Sequence, residues 1–310
     1  MLWSNIESHD KAKRILRQQI KAGRIGHAYL FVGKNGIGKK LVARAFAADI
    51  MGDIEDGLIE RNRHPDFKLW ETDKKSIGVS SIRNLQEGLF LSPTQSKRKV
   101  VMINEGEKLT TQAQNALLKI LEDPPEETTF LILVEKLSKI LPTLISRCQI
   151  LRFAPLDQGS ILKIIDTSNL GKPEEVLLLN LGQGSINETN KILAEVSLHT
   201  VISDLKDVMS LLHNKNEYGL NIKASYLAKK YDVQFILGCL ELIWGLALRD
   251  DDDLYEIIEK DKAIFKDFSR QQIANSCKLI MRAKKDEEKY LNKQLILETL
   301  LIELLEVNYD

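Results

Sequence analysis

Gly33-Lys34-Asn35-Gly36-Ile37-Gly38-Lys39-Lys40 is the stretch whose reading decides the fold. It has the form of a phosphate-binding loop, G-x-x-x-x-G-K-[ST], with Gly33, Gly38 and Lys39 in place. The last position departs from that form. Lys40 stands where a serine or threonine hydroxyl ligates the Mg²⁺ that bridges nucleotide phosphates. An ammonium has no acceptor to offer a metal and brings a positive charge to its place. Glycines alone would suit any strand-to-helix turn that needs positive φ. The flanks are more specific. Ala28-Tyr29-Leu30-Phe31-Val32 reads as a buried strand and Leu41-Val42-Ala43-Arg44-Ala45-Phe46-Ala47-Ala48 as a helix, the order a phosphate loop requires.

The second metal ligand of such a site is an acidic residue closing a buried strand. Lys99-Val100-Val101-Met102-Ile103 is a short apolar run of strand type, and it ends in Asn104-Glu105-Gly106-Glu107. Asp-Glu-x-Asp is the expected pattern, so Asn104 replaces the Mg²⁺-binding carboxylate with a neutral, weaker ligand for a hard cation. Glu105 keeps a carboxylate able to act as a base, with no metal beside it to act against. Two losses at the two metal positions argue against hydrolysis within this chain. The residues Gly33, Gly36, Gly38, Lys39, Lys40, Asn104 and Glu105 are therefore read as a degenerate nucleotide site. Neither a resident metal nor a retained ATP cofactor is expected there.

A length of 310 residues suits two or three domains. Lys and Arg number 44 and so do Asp and Glu, so nucleic-acid binding by bulk charge is not expected, although a local basic face is compatible with neutrality. Cys148, Cys239 and Cys277 are far apart and odd in number, which suits a reducing cytoplasm and no disulfide framework. The first residues show no basic region followed by an apolar one, so no signal peptide is expected. Phe235 to Leu248 is the longest apolar stretch. Glu241 interrupts it and it is short for a membrane span, so it reads as a buried helix. His9, His27, His64, His199 and His213 lack metal-ligand spacing and read as structural or exposed.

Periodicity predicts helices over 10–22, 39–51, 80–90 and 110–122, and strands over 28–32, 67–71, 99–103, 129–134 and 149–153. That alternation implies an α/β unit, a mostly parallel sheet covered by helices. Strand patterns stop at Ala154-Pro155-Leu156-Asp157. Three short helical patterns fill 157–197, with a break at Leu181-Gly182-Gln183-Gly184-Ser185 before the third. Residues 200–310 read as helical, with punctuation near Asn214–Leu220, Asp250–Asp253 and Asp267–Ser269. The last segment, Gln294 to Val307, carries a wide leucine face suited to a bundle.

Asn115-Ala116-Leu117-Leu118-Lys119-Ile120-Leu121-Glu122-Asp123-Pro124-Pro125 and Leu141-Pro142-Thr143-Leu144-Ile145-Ser146-Arg147-Cys148-Gln149 are highly specific stretches. With Gly26-His27-Ala28-Tyr29-Leu30-Phe31 and His64-Pro65-Asp66-Phe67, they resemble the clamp-loader branch of the AAA+ ATPases, clearest over 24–155. The resemblance implies an AAA+ phosphate-loop domain over 1–155, a small helical lid over 156–203 and an all-α collar for oligomerisation over 204–310. It implies partners too: the gamma/tau ATPase subunits and the delta subunit of bacterial DNA polymerase III, the sliding clamp and primed DNA. Against the hydrolysing members of the branch, Val134 falls at the polar γ-phosphate sensor and Asn187 at the lid sensor arginine. With Lys40 and Asn104, four positions fail in one direction, the pattern of a pseudo-ATPase stator. Many relatives carry four cysteines after the first helix of the loop unit. Met51 to His64 contains none, so no thiolate zinc site is expected.

The resemblance assigns Arg147 as an arginine finger, a fixed charged fork presented in trans to the ATP of a neighbouring subunit. A surface arginine closing a short helix is the plainer alternative. Ile77-Gly78-Val79-Ser80-Ser81-Ile82-Arg83 resembles the helix start that faces the inside of the subunit spiral, where Ser80, Ser81 and Arg83 would meet DNA phosphates. An ordinary serine cap explains it equally well. Lys97, Arg98 and Lys99 read as a short solvated basic loop. Two further readings stand beside the stator: an active AAA+ ATPase with an atypical phosphate loop, and a DNA-binding adaptor that works without a clamp.

Overall fold

The structure is a computed structural model that describes residues 2–52, 57–86, 89, 92–258, 265, 268–287 and 292–307. The chain divides into two compact units, Met1–Ser160 and Ile161–Asp310. The first is an α/β unit. Its five strands are β1 (Ala28–Val32), β2 (Phe67–Trp70), β3 (Lys99–Ile103), β4 (Thr128–Val134) and β5 (Gln149–Arg152). They form one parallel sheet in the order β2-β3-β4-β1-β5. The central strands read as continuous apolar runs because both sheet faces are covered, as parallel sheets require. Alternate residues go to opposite faces. Tyr29, Phe31, Val100, Met102, Leu131 and Leu133 pack with α1 (Asp10–Lys21) and α2 (Lys39–Met51). Leu30, Val32, Val101, Ile103, Phe130 and Ile132 pack on the other side with α3 (Val79–Gln86), α4 (Thr111–Glu122) and α5 (Pro142–Ile145).

Every expected strand and helix of this unit is present, with ends shifted by a residue or two except in α3, which ends at Gln86 where 90 was expected. Residues 87, 88 and 90 of the helix expected over 80–90 lie outside the described residues. Thr110 caps α4, its hydroxyl accepting the Ala113 amide at 3.2 Å, an interaction typically worth about 1 kcal/mol. The His64-Pro65-Asp66-Phe67 stretch has a structural job. The buried Asp66 carboxylate accepts the amides of Thr94, Gln95 and Ser96 at 2.8–2.9 Å and the Ser96 hydroxyl at 3.0 Å. It thereby holds the turn that leads into β3. Burial alone would raise the Asp66 pKa, but these donors outweigh it and hold the carboxyl at about 2. The basic loop expected over Lys97, Arg98 and Lys99 is only partly solvated: Lys99 is buried as the first residue of β3, and Arg98 donates to the Thr129 hydroxyl at 3.1 Å.

The second unit is helical: α6 (Gln158–Leu162) leads into it, followed by α7 (Lys172–Gly182), α8 (Ile186–Glu195), α9 (Leu198–His213), α10 (Glu217–Lys230), α11 (Val233–Arg249), α12 (Asp252–Ile258), α13 (Arg270–Glu287) and α14 (Lys293–Glu306). One core runs through it from Val176 to Leu305. The lid–collar division expected at 203/204 falls inside α9 and inside that core. Phe235 to Leu248 lies within α11, which buries Ile236, Leu237, Leu240, Ile243 and Trp244. Among the described residues, no helix is long and apolar enough to cross a membrane.

Candidate functional site

The phosphate loop leaves the carboxyl end of β1 and turns into α2. The Gly33 amide donates to the Val134 carbonyl at 3.1 Å, so the loop begins tied to β4. A side chain at Gly33 would meet the Phe153 carbonyl oxygen at 2.6 Å, and Gly36 and Gly38 have φ of 75° and 99°. These glycines are required by close approach and by left-handed backbone. Ile37 is fully buried beneath the loop. Lys39 is buried too, and its ammonium is turned onto the loop itself. It donates to the Gly33 carbonyl, to the Lys34 carbonyl at 2.9 Å and to Asn35 Oδ1 at 3.4 Å. Burial lowers its pKa, against the pull of Glu107, Glu135 and Glu105. His9 closes the other side. Its Nε2 lies 2.6 Å from the Ile37 carbonyl, which can only accept, so Nε2 carries the proton. Burial lowers the His9 pKa, and the ring stands edge-on to Phe153.

The two departures at the metal positions meet. Lys40 Nζ donates to both Glu71 oxygens, at 2.7 and 2.8 Å, and Asn104 Nδ2 donates to the same Oε1 at 2.7 Å. Glu71 directly follows β2, and the Asn104 amide is held at 2.9 Å by the Trp70 carbonyl, so adjacent strand ends set the geometry. The hydrogen bond from Lys40 is the main reason the Glu71 pKa lies below the usual carboxylate range. Glu105 has left-handed backbone (φ 52°) and pairs with Lys108 at 2.7 Å. Val134 ends β4 and is buried. An Mg²⁺–nucleotide pair does not fit these residues as they stand: an ammonium replaces the hydroxyl ligand, and the Asn104 amide turns its NH₂ to the carboxylate that the ammonium also holds. Among the described residues, no group of three or more His, Cys, Asp or Glu side chains is placed to bind a metal ion.

Arg147 is elsewhere on the same unit. It lies just before β5, where Gln149 pairs with Tyr29 at the amino-terminal edge of the sheet. The loop begins four residues beyond Tyr29, about 13 Å further along at strand rise. The guanidinium therefore serves the opposite sheet edge from the chain's own loop. It donates to Glu122 Oε1 at 2.8 Å and to the Thr143 carbonyl at 3.2 Å, with 37 % of the side chain exposed. Ser146 Oγ donates to the Thr143 carbonyl at 2.9 Å, and burial pushes the Cys148 thiol up to about 12, so neither is set up to react. Ser80 and Arg83 are exposed on α3 and Ser81 is half-buried.

Residues 8–157 match the family described as DNA polymerase III, delta subunit, which spans nearly all of the first unit. Over the whole chain, DNA polymerase III subunit delta' of Bacillus subtilis is 26 % identical and is covered to 97 %, as is this chain. The chain is thus similar to DNA polymerase III subunits, over its first unit by the family match and end to end by this relative. The delta' subunit of Haemophilus influenzae is 31 % identical over 51 % of this chain and 52 % of its own length. The gamma/tau subunit of Mycoplasma pneumoniae is 28 % identical over 63 % of this chain and 31 % of its own, so the chain spans about a third of that relative. Among solved structures, a gamma subunit-related protein from Thermotoga maritima aligns over 96 % of this chain and 99 % of its own, at 16 % identity and a TM-score of 0.48.

Three contacts at these sites have no local signal in the sequence. Glu71 has no motif, and its signal is only an acidic residue at the carboxyl end of an edge strand beside Asn104. His9 is structural, as its lack of metal-ligand spacing suggests, but nothing in its position just before an amphipathic helix points to a partner 28 residues away. Glu122 was quoted within its motif, but nothing local names Arg147 as its partner.

Proposed function

We propose that the chain is a delta-prime-type stator of a DNA polymerase III clamp loader. It hydrolyses no ATP itself and presents Arg147 to the ATP of a neighbouring gamma/tau subunit. It does so beside a delta subunit, while the assembly places a sliding clamp on primed DNA. The family match over residues 8–157 and the end-to-end similarity to a delta' subunit support the whole-chain reading. The observation that carries it is the position of Arg147, half exposed at the sheet edge opposite its own loop. A guanidinium is always charged and carries its donors in a rigid fork, which suits developing charge on γ-phosphoryl oxygens. Fingers supplied in trans contribute about 10³–10⁵ in rate. In this reading residues 156–203 form the lid and 204–310 the collar, and Ser80, Ser81 and Arg83 face DNA phosphates.

The test is reconstitution. A loader assembled from gamma/tau and delta with this chain should show DNA-stimulated ATPase and clamp loading that are lost without it. The purified chain alone should show no Mg²⁺-dependent turnover. Turnover that vanishes in Lys39→Ala would establish an active ATPase with an atypical loop instead.

A further inference from the structure

Glu71 belongs to neither the motif nor the finger, yet both departed metal positions converge on it. Its carboxylate accepts from Lys40 through both oxygens and from Asn104 through one, at 2.7–2.8 Å. A metal–nucleotide site needs a cation held between phosphate oxygens and protein acceptors. Here the cation is covalent, the Lys40 ammonium, and the oxyanion facing it is also covalent. We propose that Glu71 is a built-in phosphate mimic: the Lys40–Glu71 pair takes the place of the Mg²⁺–phosphate pair and closes the loop to nucleoside di- and triphosphates. This rests on the reading of the site as non-hydrolysing and deepens it, by naming the residue that refuses the ligand.

Three observations converge on it. Asn104 is a donor where a metal site needs an acceptor, and a carboxylate is what it holds. Lys39, the other phosphate-binding cation of the motif, is satisfied by the Gly33 and Lys34 carbonyls, so the loop is closed without an incoming anion. Glu107, Glu135 and Glu105 all act on the Lys39 charge, so acidic side chains already face the cation that would meet a polyphosphate. Lys40 and Glu71 are both more than a third exposed, so removing the pair leaves no cavity and changes charge more than packing.

The experiment is calorimetric titration of the full chain with ADP and with inorganic pyrophosphate, each in EDTA and in Mg²⁺, for wild type, Glu71→Gln and Glu71→Ala. Wild type should bind none of them at millimolar ligand. Both variants should bind ADP and pyrophosphate in EDTA at least about tenfold more tightly than wild type, about 1.4 kcal/mol, because the freed ammonium replaces the metal. Melting temperatures close to wild type exclude unfolding as the cause. Metal-free affinities unchanged from wild type would overturn the proposal, as would binding by the variants that requires Mg²⁺, or tight metal-free binding by wild type. Failure of the underlying reading is a separate signal: Mg²⁺-dependent ATP turnover by wild type.

Discussion

Replacing Arg147 by alanine separates a chemical role from a structural one, because the structure bounds the structural cost. The side chain makes one ion pair, to Glu122, and one carbonyl hydrogen bond, to Thr143. The two side chains of the pair are 37 % and 48 % exposed, and pairs of that kind contribute about 0–1 kcal/mol. At roughly 2–4 °C per kcal/mol for a unit of this size, the melting temperature should fall by no more than about 4 °C. A finger supplied in trans is worth about 10³–10⁵ in rate, roughly 4–7 kcal/mol in the activation barrier of the neighbour's site. Total ATPase of a reconstituted loader should fall only in part, since the remaining ATP sites keep their own fingers, while clamp loading falls further. Arg147→Lys keeps the charge but loses the planar fork and should rescue poorly. Glu122→Ala is the control: it breaks the same ion pair, so it should match Arg147→Ala in melting temperature yet retain most loading. The assay pairs calorimetry of the free subunit with fluorescence-monitored clamp loading. Normal loading by Arg147→Ala would refute the finger, and so would a Glu122→Ala variant equally defective, which would make the ion pair itself the functional element.

Asp66 should confer acid-sensitive stability. Its folded pKa of about 2 lies below the ordinary 3.8, so its contribution is complete above pH about 4 and is lost as pH falls through about 2. The unfolding free energy of wild type relative to Asp66→Asn should therefore shrink by about 2 kcal/mol between pH about 6 and 2; a pH-independent gap in urea melts would contradict the assignment. Assembly through the collar should depend on the exposed face of α10, where Tyr218, Ile222 and Tyr226 recur every four residues. Ile222→Asp should weaken incorporation into the loader without lowering the melting temperature, and unchanged incorporation on gel filtration would move the interface elsewhere. A surface substitution is the sharper tool here, since ending the chain after Ser203 would cut through the continuous core of the second unit. Arg83→Ala should reduce the salt slope of DNA binding by the assembled loader by about 0.9, one phosphate contact. An identical slope across a salt series would leave Arg83 with a structural role only.

What the sequence made legible depended on how far apart the interacting groups lie along the chain. The strands of the first unit were readable because burial on both faces turns them into unbroken apolar runs, and the loop because its glycines answer to local sterics. In the second unit the boundary between α10 and α11 at Tyr231 and Asp232 was not expected: no glycine or proline marks it. It is anchored by Asp204 of α9, which accepts from Lys223 at 2.8 Å, Lys230 at 2.9 Å and the Tyr231 hydroxyl at 2.7 Å, across 19 to 27 residues of chain. The same limit applies at the candidate site. Reading Lys40 and Asn104 one at a time against a motif can register only what each has lost, a hydroxyl and a carboxylate. Their shared property, that both are now donors, means nothing until an acceptor is found within reach of both. Glu71 is 31 residues from one and 33 from the other, and only the pairing of β2 with β3 brings the three together. A substitution that looks like decay in one dimension is, in three, half of a compensated pair. Sequences that lose the metal ligands without gaining such an acceptor would leave an ammonium beside an open loop, a site physically suited to holding phosphate rather than refusing it.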